Sequence, residues 1–131
     1  MKRNIIKDKS FKFAVRIIRL YQYLRRDKRE YILSKQVVRS GTSVGAMIRE
    51  SEHAETRKDF LHKIAVAQKE INETIYWLDL LKETDYLTEK YYNSIHSDAV
   101  EIIKIITSIL ISTKKNNVKT NRNNGKGKPV K

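Results

Sequence analysis

Between Lys2 and Lys115 the chain has no proline, and its only glycines there are Gly41 and Gly45. So long a run without helix breakers constrains the fold more than any other feature, because proline and glycine are the residues that most oppose a helix interior. The apolar spacing agrees. Phe13, Ile17, Leu20 and Leu24 recur at steps of four, three and four. Leu33, Val37, Ser40, Val44 and Met47 continue a second seam, partly through small residues. Phe60, Ile64, Ala67, Ile71, Ile75, Leu78 and Leu81 make a third, with two irregular steps. Tyr92, Ile95, Ala99, Ile102, Ile106 and Ile109 make a fourth. Apolar residues every three or four positions form one face of a helix.

This spacing predicts helices near 8–26, 31–53, 57–83 and 88–114. Thr56 and Thr88 stand where N-caps belong. Such helices are roughly 30–40 Å long, and short connections make neighbours antiparallel. The expected fold is all-α, an up-down-up-down antiparallel four-helix bundle over residues 1–113. Residues 114–131, KKNNVKTNRNNGKGKPVK, carry five Asn and little apolar mass. They read as a flexible basic tail, because they cannot offset their ordering entropy.

At 131 residues the chain is the size of one domain. It has no cysteine, which excludes disulfides, thiolate metal sites and cysteine nucleophiles. No apolar stretch is long enough to span a bilayer, and the first ten residues lack the apolar core of a signal peptide. A soluble cytoplasmic protein is expected, with no membrane partner.

Twenty-eight basic residues against fifteen acidic give a net charge of +13. The excess lies at the two chain ends: residues 1–29 carry net +9, residues 30–113 net −3 and residues 114–131 net +7. In the bundle the first helix starts where the fourth finishes, so both basic ends meet at one pole. A charge excess of this kind points to an anionic partner.

Lys9, Lys12, Arg16, Arg19, Tyr23 and Arg26 form a stripe on the first helix at alternating steps of three and four. No acidic residue interrupts the stripe. Cations with an interposed tyrosine suit a phosphate backbone and a stacked base. Lys114, Lys115, Lys119 and Arg122 would assist from the tail, and RNA is favoured over DNA. Reversing the charge of Arg16 and Arg19 is expected to abolish binding without unfolding the bundle. A solvated face and a solubilising tail are the plainer readings of the same residues.

Glu50 with His53, and Asp59 with His62, have the carboxylate-x-x-His spacing of di-metal bundles. Both pairs crowd one inter-helix turn, and His62 points away from the seam, so no metal site is expected. No nucleophile elbow, phosphate loop or dinucleotide fingerprint is present. The chain reads as a non-enzyme with no cofactor. In RSGTSVGAMIRE, residues 39–50, Ser40 and Val44 suit packing, and Gly41 and Gly45 suit close helix approach. Gln68 falls on the seam side and needs a polar partner. Arg39 or Arg49 is placed to pair with Glu70 or Glu73.

Two blocks of sequence resemble a bacterial four-helix-bundle family. Its members include proteins encoded within intervening sequences of large-subunit (23S) ribosomal RNA genes. One block is QVVRSGTSVGA, residues 36–46, followed by Ile48, Arg49 and Glu50. The other comprises KDFLHK (58–63), NET (72–74), Tyr76, Trp77 and LLKET (80–84). The likeness spans about residues 10–112 and leaves the tail outside. It implies a four-helix bundle that forms homo-oligomeric rings, pentamers in particular. A related branch, the accessory variability proteins of diversity-generating retroelements, is basic, binds nucleic acid and associates with a reverse transcriptase; this chain has no close match to that branch. The resemblance brings no catalytic residues. The expected function is therefore a non-enzymatic, homo-oligomeric nucleic-acid-binding protein. The alternative is a scaffold whose ring binds another protein.

Overall fold

The computed structural model describes the backbone of residues 2–127 and the side chains of residues 5–116. It contains four helices: α1 (Lys2–Arg26), α2 (Leu33–Ser51), α3 (Arg57–Glu83) and α4 (Glu89–Gly127). Each packs against its neighbours in sequence, and α1 closes the ring against α4. This is the up-down-up-down four-helix bundle. No helix among the described residues is long and apolar enough to cross a membrane.

The seams meet in one core. Phe13, Ile17, Leu20 and Leu24 from α1 are buried, as are Val37 and Val44 from α2. Ile64, Ile71, Leu78 and Leu81 join from α3, and Ile95, Ala99, Ile102 and Ile106 from α4. Leu33, Met47, Ile75 and Tyr92 are half-buried at its edge. Burying a large aliphatic side chain is worth roughly 1.5–3 kcal/mol, so these stripes dominate the stability.

Helix boundaries follow from local chemistry. α1 starts earlier than the expected residue 8. Ile6 and Ser10 are buried and extend the Phe13 seam backward at steps of four and three, and nothing before them breaks the helix. α2 starts at Leu33 rather than 31, because Arg29 has a left-handed φ of 53° and the chain must turn there. The buried Glu30 then caps the helix. Its carboxylate accepts from the backbone N–H of Leu33 at 3.0 Å and of Ser34 at 2.7 Å. Two donors that helix geometry leaves unpaired are thereby satisfied.

Thr56 caps α3, accepting from the Asp59 N–H at 3.0 Å. Thr88 does the same for α4 through the Tyr91 N–H at 3.1 Å. The fourth helix is α-helical from Glu89 to Gly127, and its packed part ends near Leu110, the last buried residue of the core. Lys114 and Lys115 are exposed on this continuation. Lys119 and Arg122 lie outside the residues whose side chains are described.

The small residues of α2 work as their positions suggested. Ser40 is buried and pairs with the Thr74 hydroxyl of α3 at 2.8 Å. Gly41 faces Ile17, and Gly45 faces the backbone of Ser10. Gln68 finds its partner on α4, donating to the Thr107 hydroxyl at 3.3 Å. Arg39 bridges both candidate acids of α3. It reaches Glu70 at 3.0 Å and also pairs with Glu73, which accepts from the Trp77 indole N–H at 3.1 Å.

Candidate nucleic-acid interface

The basic stripe of α1 lies along the seam with α4, and α4 answers it with acids. Lys9 pairs with Glu101 at 2.8 Å. Arg16 pairs with Asp98 at 2.7 Å, bonds the Ser94 hydroxyl at 3.1 Å and sits over the Tyr91 ring, 5.4 Å from its centroid. Lys12 pairs with Asp8 one turn back at 3.1 Å, and Arg26 with its neighbour Asp27 at 3.2 Å. The hydrogen bond to Glu101 raises the Lys9 ammonium above its ordinary pKa. The stripe is thus compensated in two ways, Lys9 and Arg16 across the interface with α4, and Lys12 and Arg26 by acids near them in the chain. The signal was present in the sequence: Asp98 and Glu101 are three apart, each one residue before a core position.

Only Arg19 and Tyr23 of the stripe have no side-chain partner among the described residues, and Arg19 is exposed. Arg16 and Arg19 are therefore not equivalent. Reversing Arg16 would set a new carboxylate against Asp98, so the two do not form one harmless charge-reversal probe.

The charge is distributed unequally between the two ends of the bundle. The end where α1 begins and α4 leaves the bundle comprises residues 2–13, 43–69 and 101–116, with thirteen basic and six acidic residues. The other end, residues 14–42 and 70–100, has ten and nine. The positive pole expected from topology is built from all four helices, with Arg57, Lys58, Lys69 and Lys104 exposed beside Lys7, Lys12, Lys114 and Lys115.

Beside Arg19 the sparsely packed α1–α4 seam opens into a cleft of about 270 Å³ lined by Arg19, Leu20, Tyr23, Tyr86, Leu87, Thr88 and Tyr91. Burial pushes the Tyr91 phenol up from its ordinary value. Tyr86, Leu87 and Thr88 come from the α3–α4 turn, and of these only Thr88 stood out in the sequence, as a helix cap. Tyr86 and Leu87 stand outside any helical period, and only the packing of the turn against α1 brings them beside Tyr23.

A different surface lies between α1 and α2. Phe11 is 58% exposed and Ile18, two turns later, 40%. Phe11 lines a shallow groove with Ala14, Thr42, Gly45 and Ala46. His53 and His62 are exposed, and His96 stacks on Tyr92 with ring centroids 5.1 Å apart.

The comparisons fit this architecture. A crystallised protein of unknown function from the S23 ribosomal protein family of Bacteroides thetaiotaomicron shares 53% identity with the chain. It superposes with a TM-score of 0.83, over 84% of this chain and 98% of that one. No curated protein matches. The model of the 23S rRNA-intervening sequence protein family matches residues 2–108, which take in all of α1 to α3 and the half of α4 that packs in the bundle. The chain belongs to the 23S rRNA-intervening sequence protein family.

Proposed function

We propose that the chain is a non-enzymatic nucleic-acid-binding bundle acting as a homo-oligomer, with RNA preferred over DNA. The observation that carries this reading is the pole where α1 begins and α4 leaves the bundle, where basic residues outnumber acidic ones thirteen to six. Phosphate contacts of lysine and arginine are sequence-independent and release counterions. The compensation of Lys9 and Arg16 moves the expected contacts toward the pole and toward Arg19. Phe11 and Ile18, exposed two turns apart on α1, support self-association, since exposed large apolar residues on one helix suit an interface. A pentameric ring, as the family likeness implies, would multiply weak basic patches by avidity.

The test is binding of a labelled structured RNA and a matched DNA duplex across a salt series, with oligomer mass measured alongside. A steep loss of affinity with salt is expected, by about 0.7 log units per log unit of salt for each single-strand phosphate contact. No binding at low salt would refute the reading. A second reading, a scaffold for a protein partner, is favoured by the same Phe11–Ile18 surface. It predicts partner capture that does not weaken with salt.

A further inference from the structure

The stripe on α1 leaves one cation uncompensated, and that cation stands at the mouth of the α1–α4 cleft. Lys9, Lys12, Arg16 and Arg26 each have a carboxylate within 3.2 Å. Arg19 has none among the described residues, and its exposed guanidinium borders an apolar, tyrosine-lined opening. Leu20 and Leu87, 3% and 8% exposed, form the floor. Half-buried Tyr86 and Tyr91 form the inner walls, and the more exposed Tyr23 stands at the rim.

The chemistry of this arrangement defines its ligand. An apolar aromatic wall accepts a flat ring by stacking, whatever the ring's substituents. A volume of about 270 Å³ falls just under the range of roughly 300–1,000 Å³ for drug-sized ligands, so one small ring system fits. The hydroxyls of Tyr23 and Tyr86 have no hydrogen-bond partner among the described residues and can address the edge of such a ring. Arg19 adds a planar fork suited to a phosphate. The wall is preorganised, because Asp98 holds Arg16 and Arg16 lies over the Tyr91 ring. An apolar side chain from a protein would fill the cleft but leave Arg19 with no anion.

We propose that this cleft takes the base of an unpaired nucleotide in a single strand, stacked on Tyr23, with Arg19 on the adjoining phosphate. The proposal rests on the nucleic-acid reading above and sharpens it from charge attraction to recognition of unpaired bases. The cleft lies away from the basic pole. Arg19 is ten residues beyond Lys9, about 15 Å along α1, so one strand can engage both.

The experiment is fluorescence anisotropy on the full chain with two probes, a labelled oligoadenylate and a blunt duplex with the same number of phosphates. The wild type is expected to favour the single strand. In Tyr23→Ala that preference falls by about tenfold, the scale of one lost stacking contact. Tyr23→Phe retains it, because the ring face remains. Arg19→Gln lowers the magnitude of the single-strand salt slope by about 0.7, one phosphate contact. Tyr23 is exposed, and a helical melting curve on each variant establishes that the bundle persists. An unchanged preference in Tyr23→Ala would overturn the cleft while leaving electrostatic binding intact. So would loss of oligomer mass in that variant without loss of preference, which would mark the cleft as a contact between copies. Failure of the wild type to bind either probe would remove the nucleic-acid reading itself.

Discussion

Gly41 on α2 lies so close to Ile17 on α1 that a Cβ built on the glycine would stand 2.7 Å from the Ile17 Cγ2 and 2.8 Å from its Cγ1. Ile17 is fully buried and branched at Cβ, so it cannot swing aside. The two helix backbones meet at a distance that only glycine permits. At Gly45, one turn on, the same test gives a milder 3.3 Å to the Ser10 carbonyl oxygen. Overpacking costs about 1–3 kcal/mol, and replacing a helical glycine by alanine gains about 1. Gly41→Ala should lose about 1 kcal/mol in urea unfolding, and Gly45→Ala should stay within about 0.5. Equal effects at the two sites would contradict this geometry.

The Arg39 network should show itself in acid. The hydrogen bond from Trp77, then that from Arg39, holds the Glu73 carboxyl below its ordinary pKa. A depressed carboxyl stabilises the fold at pH values above its unfolded pKa. That contribution is lost as pH falls through the depressed value. Thermal melts from about pH 5 down to about pH 2 should therefore fall more steeply for the wild type than for Glu73→Gln. Trp77 is the only tryptophan, so its emission should shift over the same window. Constant emission would mean that Glu73 does not titrate against it.

Alkaline pH tests the α3–α4 contact. Burial, with the hydrogen bond that Tyr92 donates to Asp79, pushes the Tyr92 phenol up to about 12. A raised phenol favours the protonated native state. Its contribution is intact below the ordinary value near 10 and disappears as pH climbs toward about 12. Among the seven tyrosines, ultraviolet titration of phenolate should show a last step that is absent in Tyr92→Phe, while the raised step of Tyr91 persists. A variant that keeps the last step would assign it to another tyrosine.

Arg16 and Arg19 should separate structure from binding. Arg16→Glu replaces the 2.7 Å pair with Asp98 by a repulsion, and a stability loss of about 1 kcal/mol is expected after allowing for partial exposure. Arg19→Glu touches no acid and should leave the melting temperature within about 2 °C. Equal destabilisation by the two would contradict the seam described here.

Glu30 should be the most costly acid to remove. Its side chain is 9% exposed and accepts from three backbone N–H groups at the start of α2. Glu30→Ala is expected to cost about 2 kcal/mol, measured by urea midpoint, with recovery in Glu30→Asp falling short because the shorter arm cannot span the turn.

The bundle was legible in the sequence because its information is periodic and local. Phe13 to Leu24 and Ile95 to Ile109 state their buried face by spacing alone, and Thr56 and Thr88 state their caps. The Arg39 pairings were legible too, since antiparallel neighbours leave few partners. What escaped was relational. Glu30 looked like a loop acid, and its capping role depends on the left-handed turn at Arg29. The α1 stripe looked uncompensated because the acids that pair Lys9 and Arg16 sit some eighty to ninety residues later on α4. The cleft needed Tyr23 and Tyr86 together, and no helical period connects them.

The Arg16–Asp98 contact joins residues 82 apart in the chain, whereas the α1–α2 and α3–α4 pairs form between immediate neighbours. Loop-closure entropy grows with separation, so hairpins of adjacent helices are expected to assemble early and the α1–α4 seam last. The seam is also the most sparsely packed and relies on polar pairs. The latest edge to close should be the first to reopen. Substitutions at Asp98 should then speed unfolding while leaving the folding rate unchanged, and a slowed folding rate would place the seam in the nucleus instead.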